Sequence, residues 1–149
     1  MRNKKIYIFI LLFISITASS FVKAENEITL FNGAGNAEAY IALDDEMTIY
    51  LWSGKPVAYL TKDSEGGYNV YGFNGKHLGW FVKGALWDHD GNAACAVKEV
   101  LGTTAFESFK NFKEFKPFKA FTEFAPFRKF FSNRFGDTPC KFLLSEGGK

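Results

Sequence analysis

The chain is poor in the residues on which most protein chemistry depends. It holds two cysteines, two histidines and four prolines in 149 residues. No histidine–cysteine pair stands at metal-ligand spacing, so no zinc site is assigned. No Gly-x-Ser-x-Gly, phosphate loop or other nucleophile motif occurs, which removes the common signatures of hydrolases and nucleotide-binding enzymes. No cofactor is implied. The apolar run "IYIFILLFISI", Ile6 to Ile16, falls well short of the ~20 residues that span a bilayer.

That run has a specific reading. Arg2, Lys4 and Lys5 precede it, and "TASSFVKA" follows, with Val22 and Ala24 at the positions a signal peptidase reads. Residues 1–24 are therefore read as a cleaved signal peptide, and the protein as exported, periplasmic or secreted. No cysteine stands near the end of the run, which argues against a lipoprotein; an uncleaved anchor is the alternative. The leader holds four basic residues and no acidic one, so the total of 18 basic and 16 acidic groups becomes 14 against 16. A net charge of −2 on an exported chain does not suit a nucleic-acid partner.

The remaining charge is unevenly placed. Residues 28–101 carry five lysines and nine carboxylates, whereas residues 102–149 carry nine basic and five acidic groups. An acidic head and a basic tail attract one another within a chain or between copies.

Four segments of the head repeat one pattern: "LFNGAGNAEAYI", "IYLWSGKPVAYL", "VYGFNGKHLGWF" and "LWDHDGNAACAV". Their glycines are Gly35, Gly54, Gly75 and Gly91, preceded by the aromatics Phe31, Tyr50, Tyr71 and Trp87. A small residue follows each turn: Ala39, Ala58, Gly79 and Cys95. Tyr40, Tyr59 and Trp80 come next, but the fourth copy has Ala96. Each copy reads as a β-hairpin, with Asn74-Gly75 and Asp90-Gly91 favoured for a tight turn of positive φ. Ala34-Gly35 is the weak copy on that reading, because alanine tolerates positive φ poorly. The small residues mark four equivalent places where strands crowd together.

The succession "AYI…IYLWSGKPVAYL…VYGFNGKHLGWF…LWDHDG" resembles the four-fold β-flower family, a small bacterial domain. The resemblance implies a mainly β fold, with four hairpins as petals around a pseudo-four-fold axis. It covers about residues 28–101, and the Phe-rich tail resembles the C-terminal extensions of such proteins. It implies a fold and no activity. The resulting organisation is residues 25–101 for the four-hairpin domain, 102–135 for a Phe-x-x extension and 136–149 for an irregular end. The competing architecture is a solenoid of wall-binding type, which needs several repeats and caps.

The best candidate for chemistry is Asp88-His89-Asp90, with His77 one hairpin earlier. Two carboxylates and two imidazoles suit a divalent metal or acid–base work. The bland alternative is that Asp90 serves its turn and that His77, Asp88 and His89 fill variable, solvated positions. The two cysteines pose a similar choice. A Cys95–Cys140 disulfide suits an oxidising compartment and would pin the tail to the head; a buried free thiol at the crowded Cys95 is the alternative.

In the tail, phenylalanine recurs every third residue from Phe106 to Phe130, with a basic residue after it at 110, 113, 116, 119 and 128. A three-residue step slips ~60° per repeat on an α-helix, and Pro117 and Pro126 interrupt helix as well. An extended three-fold path keeps the rings on one face. Thr104 and Glu107 form a capping-box pair, so a short helix to about Phe115 is the alternative. The rings could cover their own head, meet a partner or a second copy, or enter a membrane surface while lysines meet anionic headgroups. The sequence thus favours a non-catalytic binding or assembly module of the cell envelope. The alternatives are an envelope hydrolase or metal-binding protein using the Asp88-His89-Asp90 turn, and a membrane-surface protein.

Overall fold

The computed structural model describes residues 26–149; the leader lies outside the described residues. Eight strands follow one another as β1 Glu27–Phe31, β2 Ala37–Ala42, β3 Thr48–Leu51, β4 Pro56–Lys62, β5 Tyr68–Gly72, β6 His77–Val82, β7 Ala85–Trp87 and β8 Ala93–Ala96. Each pairs antiparallel with its neighbour in sequence, and β8 returns to β1, closing a barrel. Closure removes the open sheet edges that a solenoid would have to cap, so the four-hairpin reading holds and the competing solenoid does not.

Alternation along the strands sorts the side chains. Leu30, Ala39, Ile41, Ile49, Ala58, Val70, Leu86 and Cys95 point into one buried cluster. The intervening aromatics lie on the outer face, and they pair between petals. Tyr40 stands opposite Tyr50, Tyr59 opposite Tyr71, and Trp80 opposite Trp87. At the closing seam the pair is Ala96 with Phe31. The small residues after the turns are thus interior residues, where facing strands leave little room.

The four turns differ from the two-residue form expected. Only the glycine has positive φ, between 83° and 89° at Gly35, Gly54, Gly75 and Gly91, while Ala34 does not. Gly35 N–H donates to Asn32 O and Asn32 N–H to Asn36 O, and the register slips beside each turn. This is a type I turn closed by a glycine bulge. The alanine before Gly35 is therefore unstrained, and the first petal is as regular as the others.

The C-terminal end is ordered, not irregular. Helix α1, Cys140–Ser145, turns Cys140 and Leu144 into the barrel core, as a four-residue spacing requires. Cys140 is bonded to Cys95. Lys141 N–H, in the unsatisfied first turn of α1, donates to Glu38 Oε2 at 2.7 Å. The last residues are also packed: Asn74 Nδ2 donates to Glu146 O, and a Cβ on Gly147 would meet Val57 O at 2.4 Å. The end plugs the barrel on the side of the petal turns.

Candidate functional site

From Phe106 to Phe130 the tail forms no helix, and the capping pair Thr104–Glu107 caps nothing. The extended path prevails because the backbone finds its partners on the barrel. Asn111 and Glu114 N–H donate to Trp52 O and Gly54 O on the second turn. Nine residues later, Ala120 and Glu123 N–H donate to Phe73 O and Gly75 O on the third. Ser132 N–H then donates to Gly91 O on the fourth, and Phe106 N–H to Gly35 O on the first. The tail is a belt that advances eight residues from the first turn to the second and nine per petal from there to the fourth.

The turn glycines let the belt approach. A Cβ on Gly54, Gly75 or Gly91 would stand 1.9, 2.0 or 2.4 Å from the carbonyl oxygen of Phe112, Phe121 or Phe130. Those three phenylalanines are themselves nine apart.

The belt's basic residues face the barrel. Lys110 lies 4.4 Å over the Tyr40 ring and Lys119 lies 4.5 Å over Tyr59. Their ammonium groups continue to carboxylates: Lys110 to Glu27, and Lys119 to Glu46 at 2.8 Å. Lys113 joins Glu27 at 2.8 Å, Lys116 joins Asp45 at 2.6 Å, and Arg128 joins Asp63 and Gly66 O. Burial opposes ionisation of Glu27 and Asp45, but the adjacent lysines outweigh it and hold both carboxyls below their usual range. The acidic head and basic tail therefore attract within one chain.

The phenylalanines are left outside. Eight of the nine rings, Phe109 to Phe130, are between 83% and 104% exposed, and Phe106 is 62% exposed. The expectation that they would cover their own head is corrected. The barrel interior is already filled by its own strands and α1, and the aromatic outer face is covered by lysine stems. Nine free rings together present well over ~1,000 Å² of apolar surface along the belt.

The proposed chemical cluster is arranged differently from either sequence reading. His77 is 2% exposed and is not a solvated turn residue. Its ring lies 2.9 Å from His89 Nε2 through Nδ1 and 3.0 Å from Asn69 Oδ1 through Nε2. Asn69 Oδ1 accepts only, so His77 carries its proton on Nε2 and its Nδ1 accepts from His89. Burial, and next the neighbouring His89, lower its pKa to about 4. Glu123 of the belt accepts the His77 backbone N–H at 2.7 Å. Asp88 is buried, and its Oδ1 accepts the N–H groups of Asp90 and Asn92, which commits it to the turn. Asp90 is exposed. Among the described residues no group of three or more His, Cys, Asp or Glu is placed to hold a metal.

Sequence reasoning missed the receiving residues Glu27, Asp45, Glu46 and Asp63. The available signal was the nine-residue interval of Lys110, Lys119 and Arg128 beside four equivalent turns. These features define a closed barrel of four equivalent hairpins girdled by its own C-terminal extension. The chain belongs to the family described as the 4-fold beta flower protein, which matches residues 28–144. Neither a curated protein nor a solved structure matches it.

Proposed function

We propose that this protein is an exported, non-catalytic assembly module of the cell envelope, which associates with a second copy of itself through the phenylalanine belt. The observation that carries the reading is the belt's orientation, with lysines turned to the barrel and nine rings turned to solvent. Each copy offers more apolar area than the ~800 Å² a stable partner typically contributes. The signal-like leader supports export, and the cysteine pair suits an oxidising compartment. The electrostatic route to an anionic membrane loses support, because Lys110, Lys113, Lys116, Lys119 and Arg128 are engaged by the barrel's own carboxylates.

Sedimentation velocity of residues 26–149 over a wide concentration range tests this. Association should weaken with dilution and disappear when Phe115, Phe118 and Phe124 are changed to serine, with no loss of thermal stability. A chain that stays monomeric at the highest concentration would overturn the reading. Should that monomer bind neutral phosphatidylcholine vesicles, the belt would be a membrane anchor instead.

A further inference from the structure

The two repeats end at the same place on the barrel, and a groove opens there. In the first three petals the small residue is followed by Tyr40, Tyr59 or Trp80; in the fourth the corresponding side chain is the methyl group of Ala96. The belt's pattern changes at the same point. Lys110 and Lys119 cover the first two of these aromatics, but Arg128 lies over the Phe131 ring instead. The chain then follows the fourth turn through Ser132, Arg134 and Gly136, leaving Ala96 uncovered by a belt lysine. The space is about 1010 Å³, at the upper end of the ~300–1,000 Å³ usual for small-molecule sites.

Its floor is apolar. Ala85, Trp87, Ala93 and Ala96 line it from β7 and β8, with Phe131 and Phe135 from the tail. Phe131 stacks on Trp87 with ring centres 4.5 Å apart, and the Trp87 indole N–H is already satisfied by Val82 O. The floor thus offers ring faces and methyl groups without an unmet donor.

Its rim is basic. Lys83, Lys129, Arg134 and Arg128 line it against a single carboxylate, Glu65. Elsewhere the belt's cations are matched to acids; here, among the described residues, only Arg128 is, through Asp63. Lys83, Lys129 and Arg134 are exposed, so the rim is suited to an incoming anion.

We infer that this groove binds an amphipathic carboxylate, with the apolar body on Trp87, Phe131 and Ala96 and the acid group held by Lys129 and Arg134. Size and chemistry both converge on that class. A fully apolar ligand would leave the cations unmatched, and a small inorganic anion would leave the floor wet.

Isothermal titration of residues 26–149 with decanoate, below its micelle concentration, and with decan-1-ol tests the inference. Decanoate should bind saturably at one site per chain and about tenfold or more tighter than the alcohol. Ala96→Tyr, which introduces the residue of the first two petals, should abolish that site, while Phe115→Ser with Phe118→Ser should leave it intact. Lys129→Gln with Arg134→Gln should remove the preference for the acid. If Ala96→Tyr does not fold, Ala96→Leu fills the same space and should weaken binding. Non-saturable uptake, equal affinity for acid and alcohol, or binding unchanged in both Ala96 variants would each overturn the inference.

Discussion

The carbonyl oxygen of Phe112 lies where a methyl group on Gly54 would stand, 1.9 Å from the ideal Cβ position. The glycine thus serves two needs at once. It supplies the positive φ that closes the hairpin bulge, and it leaves room for a chain segment nearly sixty residues away.

Those two roles can be separated experimentally. Gly66 has nearly the same φ, 86°, but nothing lies within 4 Å of its Cβ position. Gly66→Ala should therefore lose only the ~1 kcal/mol of a strained backbone. Gly54→Ala should lose clearly more, and should expose the lysines of the belt to trypsin. Urea denaturation and limited proteolysis read both effects; equal losses at the two positions would show that the belt does not depend on the turn.

The ion pairs of the belt differ in their surroundings, so their contributions should differ. Glu27 is nearly buried, at 9% side-chain exposure, and faces both Lys110 and Lys113. Glu46 is 66% exposed. An exposed pair is screened by water and contributes little, whereas a carboxylate shielded from water loses more when its partners cannot compensate it. Glu27→Gln should accordingly lower the unfolding midpoint well below that of Glu46→Gln. A double-mutant cycle with Lys110→Met measures the coupling directly.

Acidification should weaken the fold in two stages. His77 has a folded pKa of about 4, below the ordinary 6.5, so the unfolded chain takes up the proton first. Its contribution is complete above pH 6.5 and is lost as the pH falls toward 4, a change of up to about 3 kcal/mol. His89 opposes protonation of the ring, whereas Glu123 and the more distant Asp63 favour it. Glu27 and Asp45 titrate below their ordinary values, so their stabilisation is lost only at lower pH. Thermal melts of the wild type and His77→Gln should converge as the pH drops from 7 to 4. A constant gap would show that the buried imidazole is not the source.

The disulfide fastens the plug rather than the belt. Cys95 lies in β8 and Cys140 begins α1, 45 residues apart. Replacing both with alanine should remove ~3–4 kcal/mol. Amide exchange should accelerate at Leu143 and Leu144 but far less at Asn111, Glu114, Ala120 and Glu123, whose hydrogen bonds to the turns remain. Simultaneous loss of protection in both groups would mean that helix and belt form one cooperative unit.

Much of the barrel was legible because its determinants are local. A bulged hairpin needs a glycine, flanking aromatics and alternation, and all lie within a dozen residues of each turn. The shape of the turn was misread at Ala34, since the same Ala-Gly pair serves a type I turn with a bulge as easily as a two-residue turn. His77 was misjudged for a different reason. Its position in the repeat has no shared residue type, and its burial comes from Asn69, His89 and Glu123, brought together by three separate segments.

The helix at Cys140–Ser145 escaped notice because six residues carry too little periodicity to stand out. Its stability comes from Leu144 and Cys140 entering a barrel that the local sequence does not describe.

By itself the sequence determined four hairpins and an extended tail, because turn chemistry, strand alternation and a three-residue period act between neighbours. Only the tertiary structure decided which face of the tail turns outward. Hydrophobicity alone would place phenylalanine inside and lysine in water. The closed barrel reverses that order, because its interior is already full and its outer surface offers tyrosine faces and carboxylates that suit lysine better than phenylalanine.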